Sequence, residues 1–128
     1  MNSGRIYEGF VPGRHLIDAY GAGGFRFADM SHRGSILVLP SGIKAWGPID
    51  GRGLVAEDFA PVLAESGTIE LLLLGTGLDI VPVGEAVRGP LRNAGIRLDA
   101  MQTGAAARTY NILLGENRKV AAALIAVG

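Results

Sequence analysis

The pattern of apolar and polar positions changes character midway along the chain. In the first half, apolar residues come in short runs broken by glycine and proline. Residues 15–20 and 25–29 contain β-formers on either side of Gly21-Ala22-Gly23-Gly24. Residues 35–39 and 43–46 flank Pro40-Ser41-Gly42, where proline presets φ and glycine supplies a positive φ. Both segments are predicted hairpins, and Gly51-Arg52-Gly53 closes this β-rich region.

The second half alternates strand and helix periods. Residues 56–66 place Phe59, Val62 and Leu63 at helical spacing, with Gly67 as the residue after the cap. Pro61 lies past the first turn of a helix begun at Glu57, so its start is expected to be irregular. Residues 69–74 are apolar except for Glu70, as in a strand covered on both faces. Residues 84–94 read as a helix that Gly89-Pro90 kinks or splits and Gly95 ends. Residues 96–101 form the next strand. Residues 104–114 form a helix with Ala106, Tyr110, Leu113 and Leu114 on one face and Gly115 as its stop. Residues 119–127 are the last and most hydrophobic strand. Strand–helix–strand–helix–strand implies parallel pairing with right-handed crossovers, and the hairpins make the sheet mixed. The expected fold is α/β, organised as a single domain over residues 1–128.

Composition narrows the function classes. A chain of 128 residues buries roughly two thirds of its unfolded surface, enough for a core. There is no cysteine, which removes disulfides, thiol catalysis and thiolate metal sites and suits a reducing cytoplasm. Twelve basic residues balance twelve acidic ones with no basic stripe, so nucleic acid is not an expected partner. The first eight residues lack the apolar run of a signal peptide. No apolar stretch approaches the ~20 residues of a membrane span, so membrane insertion is not expected.

Two motifs carry the candidate site. Gly75-Thr76-Gly77 follows a buried strand at its carboxyl end, where open α/β sheets bind ligands. It is no dinucleotide fingerprint, since position 80 is Ile80, and no P-loop, since no Gly-Lys-Ser/Thr follows. A tight turn leaving a strand is the favoured explanation of so incomplete a motif. In Thr103-Gly104-Ala105-Ala106-Ala107-Arg108-Thr109-Tyr110-Asn111, Thr103 reads as an N-cap, so that the next N–H groups open the helix unpaired. Such a start accepts an anion, or serves only as a capped helix packed on the sheet through its alanines. Arg108 near the positive end of the helix dipole would be relieved by an anion or by a neighbouring carboxylate. Asn111, three residues on, shares its face. Both loops follow parallel strands and should open on one edge, giving a candidate cleft of Gly75, Thr76, Gly77, Thr103, Gly104, Arg108 and Asn111. Asp79 could face it. His15 and His32 lack the neighbours of a metal cluster, and His32 reads as a solvated turn residue. Ser41 and Lys44 belong to a hairpin turn, and Trp46 to the core. No nucleophile elbow or His-Glu-x-x-His motif occurs. No catalytic residue, cofactor site or metal site is assigned.

Residues 72–77 and 103–111, followed by Gly115-Glu116-Asn117-Arg118 and the run from Val120 to Ile125, resemble a known group. It is a small α/β family of uncharacterised bacterial and archaeal proteins that includes a mitochondrial assembly factor for respiratory complex I. The resemblance covers roughly residues 10–127, and the arginine-rich composition suits a bacterial member. It implies a three-layer fold with a mixed central sheet and a small additional β-layer. It also implies no established catalysis, and a mitochondrial relative that works by binding other proteins. Many relatives carry cysteine where this chain has Ala107, and usually keep intact the helix that Pro90 interrupts here.

Three functions remain open at this level. The first is a non-enzymatic protein-binding or assembly-helper domain with an unidentified protein partner. The second is a small-molecule or anion-binding protein, or an enzyme, using the cleft. The third is a homo-oligomer that buries a sheet edge or the hairpin layer.

Overall fold

The computed structural model describes residues 9–128. The reading of the first eight residues as lacking a signal peptide lies outside them. The elements in chain order are β1 (Phe10–Pro12), β2 (Ala19–Gly21), β3 (Gly24–Phe27), β4 (Met30–Arg33), β5 (Ile36–Leu39) and β6 (Gly42–Ala45). Then follow α1 (Ala60–Ala64), β7 (Leu71–Gly75), α2 (Glu85–Asn93), β8 (Arg97–Met101), α3 (Thr103–Gly115) and β9 (Val120–Leu124). A six-stranded sheet has the order β1-β6-β5-β9-β7-β8, and β2-β3-β4 form a separate three-stranded sheet. β7 pairs in parallel with both β8 and β9, whereas β5 joins β9 and β6 antiparallel. The architecture is therefore α/β with a mixed central sheet, a parallel C-terminal half and an N-terminal hairpin layer, as expected.

Side-chain alternation explains the layers. In β7, Leu72 and Leu74 face one side and Leu71 and Leu73 the other, and all are buried. The first side packs Leu37, Leu39, Ala121 and Ala123 against Phe59, Val62, Val87 and Leu91 of the α1–α2 layer. The second packs Ile36, Val38, Ala122 and Leu124 against Ala106, Ala107 and Tyr110 of α3 and against Phe25 and Phe27 of the small sheet. Alanines on β9 and on α3 meet across this interface, so helix and sheet can approach closely. Tyr110 lies in this core, where burial pushes its hydroxyl pKa up to about 12 against a smaller, opposing influence of Arg14.

Local expectations fail in informative places. The segment expected as one helix over residues 56–66 is a 3-10 turn (Ala56–Phe59), the short α1 and a second 3-10 turn (Ser66–Thr68) that contains Gly67. Restarting at Ala60 puts Pro61 in the first turn, where its missing N–H costs nothing. Pro90 does not split α2, which runs unbroken from Glu85 to Asn93. Ala86, whose carbonyl loses that donor, is exposed to water. Gly95 ends α2 as expected, with φ +84° and the paired bonds Gly95 N–H to Arg92 O and Ile96 N–H to Leu91 O. α3 ends differently, because Asn117 and not Gly115 takes the left-handed conformation, with φ +58° and equivalent bonds to Leu114 and Leu113. His32 is not a solvated turn residue. It belongs to β4, pairs with Phe25 and is buried. Trp46 is core, its indole N–H donating to Asp58 O at 2.8 Å. Among the described residues no helix is long and apolar enough to cross a membrane.

Candidate functional site

The three parallel strands end side by side at Gly75, Met101 and Leu124. α2 leaves for one face of the sheet and α3 for the other, so their loops diverge at this edge, the usual place for a ligand in an open α/β sheet. The two glycine-containing loops do meet here. Thr76 N–H donates to Met101 O and Ile125 N–H to Gly75 O, both at 2.9 Å. Thr103 N–H donates to Gly77 O at 2.9 Å, and Gly77 N–H returns a bond to Thr103 Oγ1 at 3.0 Å.

Thr103 is not the helix cap. Gln102 holds that position without a side-chain capping bond, and Thr103 is the first helical residue. Its fully buried hydroxyl donates to Ile125 O at 2.7 Å while accepting from Gly77 N–H. One side chain thus ties β7, β9 and α3 together. Gly75 makes that approach possible, since a Cβ there would come within 2.8 Å of Thr103 Cα. Thr76 is equally committed, because its hydroxyl accepts from Val81 N–H at 3.1 Å and lies 2.6 Å from the carbonyl of Asp79. Gln102 Nε2 donates to Leu78 O at 2.8 Å. The Thr76 and Thr103 hydroxyls and the Thr76, Gly77 and Thr103 N–H groups are already bonded to the protein itself.

The remaining sequence candidates lie on the other side of Thr103. Gly104, Arg108 and Asn111 line a pocket of about 370 Å³ with Tyr20 and Asp18. Asn111 Oδ1 accepts from Ile17 N–H and its Nδ2 donates to Ile17 O, both at 2.8 Å. It serves as a side-chain strand partner that docks the segment before β2 onto α3. Arg108 is exposed and forms no ion pair among the described residues. The Tyr20 ring covers Gly104, where a side chain would collide with the Tyr20 hydroxyl. The seven residues therefore divide: Gly75, Thr76, Gly77 and Thr103 form a closed seam, and Gly104, Arg108 and Asn111 line a separate pocket.

Sequence reasoning missed the apolar rim of the seam. Ile49, Leu78 and Ile80 are 87%, 71% and 63% exposed, on the loops before α1 and after β7. Ile49 and Leu78 share a cavity of about 250 Å³ with Arg52, Thr76 and Gly77. Asp79 is exposed there and contributes its carbonyl to Thr76. Asp50 and Arg52 form an exposed pair at 3.5 Å, worth little in water. An apolar residue in a turn-rich segment such as Gly77-Leu78-Asp79-Ile80 was the available signal. Among the described residues no group of three or more His, Asp or Glu could hold a metal ion.

Comparison with known proteins agrees with this architecture. Residues 17–125 match the model of a family described as a protein of unknown function (DUF498/DUF598). An uncharacterised protein of Rhodobacter capsulatus is 38% identical over 109 residues, covering 85% of this chain and 82% of that protein. Mouse NADH dehydrogenase (ubiquinone) 1 alpha subcomplex assembly factor 3 is 28% identical over 120 residues, 94% of this chain but 65% of its own length. The chain thus spans less than two thirds of that assembly factor. The crystal structure of an outer membrane protein from Bartonella henselae is 53% identical, with a TM-score of 0.88 over 91% of this chain and 98% of that one.

Proposed function

The chain belongs to this family of unknown function, and from that premise we propose that it is a non-enzymatic protein-binding domain that helps other proteins assemble. The observation that carries the proposal is the contrast at the strand-end edge. Its two threonine hydroxyls and the Thr76, Gly77 and Thr103 N–H groups are bonded internally, while Ile49 and Leu78 stand exposed beside it and Ile80 is exposed on the same loop as Leu78. Grouped exposed apolar side chains mark protein-binding surfaces more often than catalytic ones. Relatives named as assembly factors for NADH dehydrogenase support the same reading, since such factors act on protein partners. A cysteine-free composition suits work in the cytoplasm.

Affinity capture from the native cell tests it. The chain should repeatedly recover one defined partner, and Leu78→Asp with Ile80→Asp should lose that partner while keeping the fold. Recovery of no partner, or equal recovery by the double variant, overturns the proposal.

One observation favours a second reading, a small-anion site in the pocket of Tyr20, Gly104 and Arg108. The Arg108 guanidinium has no carboxylate partner among the described residues. Titration with phosphate, simple carboxylates and nucleotides would then move the amides of residues 18–20 and 103–108. Scattered or absent shifts count against it. Sedimentation separates both readings from a homo-oligomer.

A further inference from the structure

The hairpin layer presents a surface that the strand-end edge does not explain. Strand register puts Ala19, Gly21, Gly24, Arg26, Ser31 and Arg33 on one face of the small sheet, because Phe25 and Phe27 point into the core. A groove of about 580 Å³ crosses this region, with a floor of small residues along β2; Tyr20, paired with Phe25, turns its ring to the other face, over Gly104. A Cβ built on Gly21 meets nothing within 4 Å, so the space above β2 is open.

The charge of the groove is one-sided. Arg26 and Arg33 line it, and no aspartate or glutamate does. Neither arginine forms an ion pair among the described residues. Arg26 Nη1 donates to Ser31 Oγ at 2.7 Å, which steadies it without neutralising it. In a chain of net charge +0 this is a local concentration of positive charge. Gly24 pairs with Arg33 and Arg26 with Ser31, so the two arginines are diagonal neighbours across an antiparallel pair. Such neighbours stand about 7–8 Å apart. Same-side residues of an extended chain recur at about 6.6–6.8 Å.

We propose that this groove binds an extended acidic segment of a partner protein, with two carboxylates placed two residues apart, one for each guanidinium. Guanidinium forks match carboxylates bidentately. The small residues Ala19, Gly21 and Gly24 on this face let the partner's main chain lie close to the sheet. Two arginines on a neutral chain are too few for a nucleic-acid backbone, whose recognition needs many phosphate contacts. The inference rests on the protein-binding reading and adds to it the chemistry of the partner.

The test titrates the isotopically labelled chain, at low salt, with a short threonine-rich peptide carrying two glutamates two residues apart. Saturable amide shifts are expected at residues 19–26 and 31–33. Arg26→Glu with Arg33→Glu, both at exposed positions, should weaken binding at least tenfold and leave the remaining spectrum unchanged. The proposal is overturned by an absence of saturable shifts, or by equal binding of the matching lysine peptide or of one with adjacent glutamates. Tighter binding of inorganic phosphate or oligothymidylate also overturns it. If the peptide binds but the cell yields no partner, only the assembly-helper reading fails. If a partner is captured through Leu78 and Ile80 and the peptide does not bind, only the groove fails.

Discussion

The parallel half and the hairpin layer treat their polar groups in opposite ways. At the ends of β7, β8 and β9, the hydroxyls of Thr76 and Thr103 and the backbone around them bond to one another, and apolar residues face water. On the small sheet, Phe25 and Phe27 are buried, while Arg26 and Arg33 reach into an open groove without carboxylate partners. A polar cluster at a place where ligands commonly bind is therefore weak evidence for a ligand. What matters is whether its donors and acceptors are still available.

That contrast can be broken by substitution. The largest effect belongs to the shared core: Leu72→Ala, at a position 0% exposed in the centre of the sheet, should cost about 2–5 kcal/mol in denaturant unfolding. Next comes the seam. Thr103→Val keeps the shape but strands Gly77 N–H and Ile125 O, so unfolding should show a loss of about 1–3 kcal/mol. A loss near zero would mean the seam is not sealed by this hydroxyl, and the candidate cleft would reopen.

An effect of similar size is confined to alkaline pH. Tyr110 keeps its proton to about 12 in the folded chain, against about 10 when unfolded. Its contribution is complete below pH 10 and is lost as pH rises through 12, because the unfolded chain ionises first. Stability should fall with pH over that window, and Tyr110→Phe should flatten the slope. The smallest effect sharpens the other side of the comparison. Arg33→Ser should change stability by less than about 0.5 kcal/mol, since the side chain makes no hydrogen bond or ion pair among the described residues.

The parts of the fold legible in the sequence are those fixed by period and by special backbone. The four leucines of β7 announce a strand covered on both faces, and Gly95 announces the end of α2, because only local geometry is involved. Thr103 misleads because a threonine before an alanine-rich helix satisfies the capping pattern, whereas its partners, Gly77 and Ile125, are far away in sequence. β4 is illegible because Met30-Ser31-His32-Arg33 shows no alternation; its strand character comes from pairing with β3. Pro90 looks like a breaker, but the carbonyl it leaves without a donor belongs to the exposed Ala86. For the site, sequence order correctly brings two loops to one edge. It cannot show that their polar groups satisfy each other, nor that Tyr20 covers Gly104, since both are tertiary contacts.

The most direct test of the account is amide hydrogen exchange of the chain alone and in complex with its captured partner. Binding through the apolar rim predicts slower exchange at residues 49–53 and 77–83 in the complex. Unchanged exchange in both segments, in a complex that is demonstrably formed, would contradict it.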